Sequence, residues 1–96
     1  DSFPNDYLIH QNYPNPFNPV TTLHYDLPED GNVKIIIYDL MGRKTRTLID
    51  VDQAAGYKSV QWNATNDAGA SVSAGLYFYT IQAGKFNKTN KMVLLK

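Results

Sequence analysis

The residues of this chain with the widest chemical repertoire are its two histidines, His10 and His24. Imidazole is the side chain that most readily acts as a general base or binds a metal near neutral pH. A nucleophilic site also needs a serine or cysteine beside the base and a third group that orients it. Neither histidine has a carboxylate or a serine at a spacing that predicts such a pair, and the chain has no cysteine. We therefore predict two surface histidines and a protein that is not an enzyme.

A second set of candidate ligands lies in the loop NATNDAG, where Asn63, Thr65 and Asp67 alternate as oxygen donors. Carboxylate, amide and hydroxyl oxygens are the ligands that calcium prefers. The loop departs from the EF-hand pattern, because its glycine comes one position late and Ala74 stands where the bidentate glutamate belongs. Asn, Asp and Gly are also common in loops that bind no ion, since such side chains hydrogen-bond the local backbone. We predict no metal site and no cofactor.

The aromatic side chains raise carbohydrate binding as a further possibility. Tyr77, Phe78 and Tyr79 are consecutive, so they cannot share one face of a strand. Alternation places the two tyrosines on one face and Phe78 on the other, and with Trp62 on a neighbouring strand this pattern indicates core filling. A flat, solvent-exposed aromatic platform is the alternative.

Composition argues against several classes of protein. Nine basic and nine acidic residues give a formal net charge of zero, whereas nucleic-acid binding requires a concentrated basic surface. No apolar run approaches the roughly 20 residues of a membrane span, so we predict a chain that does not cross a membrane. No signal peptide opens the sequence. We interpret the 96 residues as one domain of a longer secreted protein, in preference to a cytosolic protein.

Short strands are the elements that must position these side chains. Apolar alternation and turn residues predict seven strands, at residues 7–12, 21–27, 33–39, 45–50, 57–62, 76–83 and 88–95. No segment shows the 3.6-residue period of a helix. Seven short strands in a chain of this size predict an all-β fold, an immunoglobulin-like antiparallel β-sandwich. Residues 1–6 are interpreted as a linker remnant and residues 7–96 as the domain.

The last segment, NKMVLLK, has two interpretations. Apolar residues occupy both faces of the predicted strand and a lysine stands at each end, giving Lys91, Met92, Val93, Leu94, Leu95 and Lys96. Structurally, this is a buried strand whose charged flanks suppress pairing with other edges. Functionally, it is a charged terminal tag that a receptor can recognise. The residues alone do not favour one interpretation over the other.

Several segments, taken in their order and spacing, resemble the type A C-terminal sorting domains of type IX secretion. The resemblance is carried by YPNPFNP, YDLMGR, WNATNDAG, GLYFY and the final KMVLLK, and it runs from about Leu8 to Lys96. Such domains are seven-stranded sandwiches at the C-terminus of exported proteins in Bacteroidetes and related phyla. The segments YDLMGRKTRTL and SAGLYFY also resemble the Ig-like domain of the flagellar hook capping protein.

The resemblance implies a non-enzymatic sorting module that follows an N-terminal cargo domain. The type IX translocon would carry the cargo across the outer membrane, and sortase-like machinery would attach it to the cell surface. The protein would thus be exported from the periplasm to the cell surface or beyond. The residues implied in recognition are a shared turn motif and the last strand: Asp39, Gly42, Arg43, Lys91, Met92, Val93, Leu94, Leu95 and Lys96.

The resemblance also suggests a role for the proline-rich segment. It would be the corner where the linker enters the sandwich, with Tyr13 and Phe17 pinned on the core and the prolines denying donors to an edge. Recognition would use the surface or the exposed backbone of the last strand, with its flanking lysines. A structural or adhesive Ig-like spacer and a carbohydrate-binding module remain the alternative functions.

Overall fold

The computed structural model describes residues 3–95, so Lys96 of the predicted signal lies outside the described residues. This range folds into seven strands: β1 (Leu8–Ile9), β2 (Thr21–Leu27), β3 (Gly31–Tyr38), β4 (Lys44–Gln53), β5 (Gly56–Trp62), β6 (Gly75–Ala83) and β7 (Phe86–Leu94). They form two antiparallel sheets, ordered β1-β2-β5 and β4-β3-β6-β7. Within residues 3–95 no helix is long and apolar enough to cross a membrane. The all-β, immunoglobulin-like sandwich predicted from the sequence is confirmed.

The core lies between the two sheets and is filled by alternate residues of their facing strands. The buried positions are Leu23, Tyr25 and Leu27 of β2, Val33, Ile35 and Ile37 of β3, and Tyr77, Tyr79 and Ile81 of β6. Trp62 is fully buried among them and meets Tyr77 edge to face, with ring centroids 5.4 Å apart. The prediction that these aromatic residues fill the core is therefore confirmed.

Only β2 has the bounds predicted from the sequence, and the largest differences in length are those of β1 and β4. β1 is reduced to Leu8–Ile9, β4 extends to Lys44–Gln53, and β7 begins at Phe86. The longer β4 follows from its hairpin with β3, because pairing extends from Gly31 opposite Gln53 to Tyr38 opposite Lys44, with irregularities after Ile35 and after Ile37. The polar residues near the end of β4 hide this length from a search for apolar alternation.

The sandwich has two ends, which we call proximal and distal. At the proximal end Tyr7 stacks on Phe86, with ring centroids 5.4 Å apart. At the distal end β2, β4 and β6 begin and β3, β5 and β7 finish. The proline-rich segment joins β1 to β2 at the distal end, where Phe17 bridges to Leu94. The expectation that it marks the entry of the linker is wrong, because the chain enters the sandwich at the proximal end through Tyr7.

Each edge strand of the two sheets has a different feature that hinders pairing with a further strand. On edge strand β5 the half-buried Lys58 shares the inward side of the strand with Trp62, and an inward-pointing charge discourages pairing with a further strand. On edge strand β4 the loop residue Asp67 accepts a hydrogen bond from the Thr47 nitrogen at 2.9 Å and donates one to the Thr45 oxygen at 3.1 Å. β1 is only two residues long. On edge strand β7 the proline-rich segment covers the part from Lys91 onward.

Candidate functional site

The turn between β3 and β4 is fixed by a single carboxylate. Asp39 Oδ1 accepts hydrogen bonds from the backbone nitrogens of Met41 and Arg43, each at 2.9 Å. Its Oδ2 accepts one from Arg43 Nε at 3.0 Å. Gly42 adopts a φ of 83°, a left-handed conformation that glycine accepts without strain. Asp39, Gly42 and Arg43 thus lie together in one turn, as the sequence predicts, and each has a structural task there.

The electrostatics of the turn follow from these bonds. The hydrogen bond from the Arg43 backbone nitrogen, together with those of the Arg43 side chain and the Met41 nitrogen, lowers the pKa of Asp39 below its ordinary value of 3.8. Burial has a smaller, opposing effect. Asp39 is therefore ionised throughout the neutral range. The Arg43 guanidinium remains largely exposed while one of its nitrogens holds the carboxylate.

The tip of this turn presents two apolar side chains to solvent. Leu40 is exposed, and Met41 is 78% exposed. They line one side of a groove of about 750 Å³ whose other side is formed by the loop between β5 and β6, including Val72. Neither residue is among those predicted from the sequence to take part in recognition. The sequence could have indicated their exposure, because a leucine and a methionine between the turn-forming Asp39 and Gly42 have no strand partner.

The predicted residues of the last strand divide into buried and accessible positions. Met92 and Leu94 are buried in the core, so their primary role is packing. Lys91 is exposed, Val93 is half-buried and Leu95 is 50% exposed. The expectation of a buried strand is wrong in one respect, because β7 is the edge strand of its sheet. Leu95 and the Asp39 turn both lie at the distal end.

Residues 11–17, which we call the proline strap, cover the outer edge of β7. Phe17 lies alongside Leu94 in parallel orientation. Its nitrogen donates to the Val93 oxygen at 3.0 Å, and its oxygen accepts from the Leu95 nitrogen at 2.8 Å. Asn15 Oδ1 accepts from the Val93 nitrogen at 3.0 Å. The strap therefore acts as a short additional strand.

Side-chain hydrogen bonds extend this cover towards the middle of β7. Gln11 Nε2 donates to the Lys91 oxygen at 2.9 Å. Together with the bonds made by Phe17 and Asn15, this contact engages backbone groups of Lys91, Val93 and Leu95 that point away from β6. The expectation that the backbone is exposed at these positions is therefore wrong for the folded domain. As expected, the prolines have no backbone N–H to donate, but Phe17, between Pro16 and Pro19, pairs with β7.

The strap is held in place by one aromatic and one amide side chain. Phe17 is 1% exposed and its ring lies 5.8 Å from that of Trp62. The buried Asn12 donates to Thr21 Oγ1 at 3.0 Å, and its backbone nitrogen donates to the Tyr79 hydroxyl at 3.0 Å. Tyr13 does not pack on the core, because its side chain is 77% exposed. The expectation that Tyr13 and Phe17 both pin the corner is correct only for Phe17.

The oxygen-rich loop after β5 directs its side chains inward, to its own chain. Thr65 Oγ1 donates to Asn63 Oδ1 at 2.6 Å and accepts from Arg46 Nη1 at 2.7 Å. Asn66 Oδ1 accepts from two backbone nitrogens of the loop, each at 3.0 Å. With Asp67 capping the edge of β4, these side chains act as loop-forming hydrogen-bond partners.

One contact of the histidines was missed from the sequence. His10 Nε2 and Asp26 Oδ1 lie 3.1 Å apart on the outer face of the β1-β2-β5 sheet. Sequence spacing does not predict this contact, which the fold brings about. The pair is separated by 16 positions in sequence and depends on the register of β1 with β2, which local spacing does not reveal.

The two antiparallel sheets, ordered β1-β2-β5 and β4-β3-β6-β7, are the architecture of an immunoglobulin-like domain. Within that class, the chain belongs to the FlgD Ig-like domain family, whose model matches residues 19–86. No curated protein matches the sequence. FLGD from P. aeruginosa is 26% identical over 77% of this chain and 57% of its own, with a TM-score of 0.61. The matched family segment excludes both the proline strap and most of β7.

Two further solved structures share the fold along almost the whole chain. Dimeric latent PorU from Porphyromonas gingivalis is 20% identical, with a TM-score of 0.72 over 94% of this chain. PorZ of the same species, a surface component of the type-IX secretion system, is 21% identical, with a TM-score of 0.60 over 96% of this chain. The chain spans only 9% of the PorU chain and 12% of the PorZ chain.

Proposed function

We propose that this domain is a non-enzymatic sorting module, which directs an attached cargo across the outer membrane by type IX secretion and on to the cell surface. The observation that carries the proposal is the extent of the fold likeness. The FlgD family match ends at residue 86, whereas the likeness to PorU and PorZ covers 94% and 96% of this chain. The likeness to PorU and PorZ therefore includes most of the residues outside the family match, among which are the strap and most of β7.

The structure favours recognition by side chains at the distal end over pairing with the last strand. Outward-facing backbone groups of Lys91, Val93 and Leu95 are already hydrogen-bonded to the strap. A partner strand would have to displace these bonds and extract the buried Phe17. The side chains of Leu95 and Met41 are accessible without any rearrangement. The sorting surface that we propose therefore consists of the Asp39 turn with Leu40 and Met41, and of Lys91 and Leu95.

The test is an export assay that spares the fold. Deleting KMVLLK removes Met92 and Leu94 from the core, so a loss of export would also follow from misfolding. Leu95→Ser and Met41→Ser change exposed side chains instead. Val51→Ser is the matched control, because Val51 is 49% exposed, close to the 50% of Leu95, and lies towards the proximal end of β4. Each variant is fused to a reporter with a signal peptide in a host with type IX secretion.

We expect the wild-type domain and Val51→Ser to bring the reporter to the cell surface. Leu95→Ser and Met41→Ser should leave more of it in the periplasm, with unchanged thermal unfolding. The same comparison of Lys91→Ala with Lys88→Ala, a lysine on the same strand outside the distal end, tests the charge. Periplasmic retention of the reporter on the wild-type domain would contradict the sorting proposal.

A structural Ig-like spacer is the second candidate, and membership of the FlgD Ig-like family favours it. It predicts that only variants that destabilise the fold affect the attached protein. Export of Leu95→Ser and Met41→Ser at the wild-type level would support the spacer. A carbohydrate-binding module has less support, because Trp62, Tyr77 and Tyr79 are buried and only Phe78 of the aromatic residues weighed for it is half-buried.

A further inference from the structure

Both histidines of the chain lie on one patch of the outer face of the three-stranded sheet. The His10 backbone nitrogen donates to the His24 oxygen at 2.9 Å, so the two residues stand opposite each other on neighbouring strands. Their neighbours Ile9, Leu23 and Tyr25 are buried, and alternation directs both imidazoles to solvent. Residues paired in this way have Cβ atoms about 5 Å apart. The two rings can therefore reach a common point.

Asp26 gives one of these rings a fixed orientation. Its Oδ1 lies 3.1 Å from His10 Nε2, and its side chain is the less exposed of the two. This contact involves Nε2 of His10, so the other ring nitrogen, Nδ1, takes no part in it. A carboxylate on the far nitrogen is the usual partner of a metal-binding histidine, since it fixes the ring and raises its basicity. Asp26 is thus placed to act as a positioning residue.

The same patch has room for an ion and its water ligands. A depression of about 300 Å³ is lined by His10, His24, Asp26, Tyr57 and Lys58. Lys58 belongs to the opposite, inward side of β5, and its side chain runs towards Gly56. Its ammonium is therefore directed along the strand.

We propose that His10 and His24 together bind one late first-row divalent cation, such as Zn²⁺, Ni²⁺ or Cu²⁺, through one nitrogen of each imidazole. Imidazole suits these ions, and metal–nitrogen distances of about 2.0–2.1 Å fit between two facing rings. Within residues 3–95 no three ligand-type side chains are arranged to hold a metal. The site is accordingly a two-nitrogen site completed by water, distinct from the closed four-ligand site of a structural zinc.

The test uses the tag-free domain and the metal salts alone. The chain has two histidines, so NMR spectra of the imidazole nitrogens report on both ligands without overlap from others. During a Zn²⁺ or Ni²⁺ titration we expect both imidazoles to respond along one saturation curve, with one ion per chain by calorimetry. His10→Gln and His24→Gln should each weaken binding about tenfold or more, because chelation by the second ring is lost.

Asp26→Asn separates positioning from ligation. It should weaken binding by roughly tenfold, as removal of an outer-shell partner does. Asp52→Asn is the control, because it makes the same charge change on the other sheet, and it should leave affinity unchanged. Separate saturation curves for the two imidazoles, wild-type affinity in either histidine variant, or no binding at millimolar metal would overturn the proposal.

Discussion

Replacement of Phe17 by alanine is the sharpest test of how the proline strap is held. The Phe17 ring is 1% exposed and lies 5.8 Å from the Trp62 ring, so its loss leaves a cavity in the core. Removal of a buried phenylalanine side chain costs roughly 3–5 kcal/mol. In a domain of this size each kcal/mol lowers Tm by about 4–8 °C. We therefore expect the Tm of Phe17→Ala to fall by at least about 12 °C.

The matched control is Tyr13→Ala, a change of similar size in the same strap. Tyr13 is 77% exposed, and its backbone bonds to Thr22 do not depend on its side chain. Its replacement should change the free energy of unfolding by no more than about 0.5 kcal/mol. Thermal unfolding followed by near-ultraviolet circular dichroism compares the two variants.

Hydrogen exchange adds a local measurement, because the Leu95 amide donates to the Phe17 oxygen. In Phe17→Ala this amide should exchange faster relative to amides in the centre of β3. If the two variants lost equal Tm, or if the Leu95 amide kept its protection in Phe17→Ala, the conclusion that Phe17 anchors the strap over β7 would be refuted.

Three further predictions concern single side chains. Gly42→Ala should cost about 1–2 kcal/mol in unfolding experiments, because its φ of 83° is strained for alanine; Gly31→Ala, which has free space and no positive φ, is the control and should be near neutral. Asp39→Asn should lower Tm at neutral pH, and its difference in Tm from wild type should narrow in acid. Folding lowers the pKa of Asp39, so the stability that its carboxylate contributes is complete above about pH 3.8. That stability is lost as the pH falls through the pKa of the folded state. Burial raises the pKa of Tyr79 above 10.0, so the stability that this side chain contributes is present below pH 10.0 and lost as the pH rises through the pKa of the folded state. The Tm of Tyr79→Phe should therefore fall less steeply with alkaline pH than that of the wild type. A constant Asp39→Asn gap across the acid range, or parallel alkaline curves for Tyr79→Phe, would show that the respective group does not contribute in this way.

The sequence was sufficient for those parts of the fold that depend on local alternation. Leu23, Tyr25 and Leu27 alternate with polar residues, and the structure buries all three. The Asp39 turn was also accessible, because its hydrogen bonds join residues no more than four positions apart. Such features are encoded within a window that a pattern search can examine.

The parts that were missed depend on contacts between distant segments. The strap pairs Phe17 with Leu94, and no local property of YPNPFNP indicates that the residue between two prolines will extend a sheet. The contact of His10 with Asp26 and the opposition of His10 to His24 likewise require the register of β1 with β2. These are the contacts on which both the edge cover and the proposed metal site depend.

The parallel course of the strap and β7 has a mechanical consequence. Tyr7 lies at one end of a body 39 Å long and Leu95 at the other, and both segments run from the proximal to the distal end. A force that pulls these two residues apart therefore slides the strap along β7. The hydrogen bonds between the strap and β7 are then loaded simultaneously. In a hairpin that is pulled apart from its open end, by contrast, the hydrogen bonds break one after another. Tension between an attached protein and an anchor would be borne first by Phe17 and its partners on Val93 and Leu95.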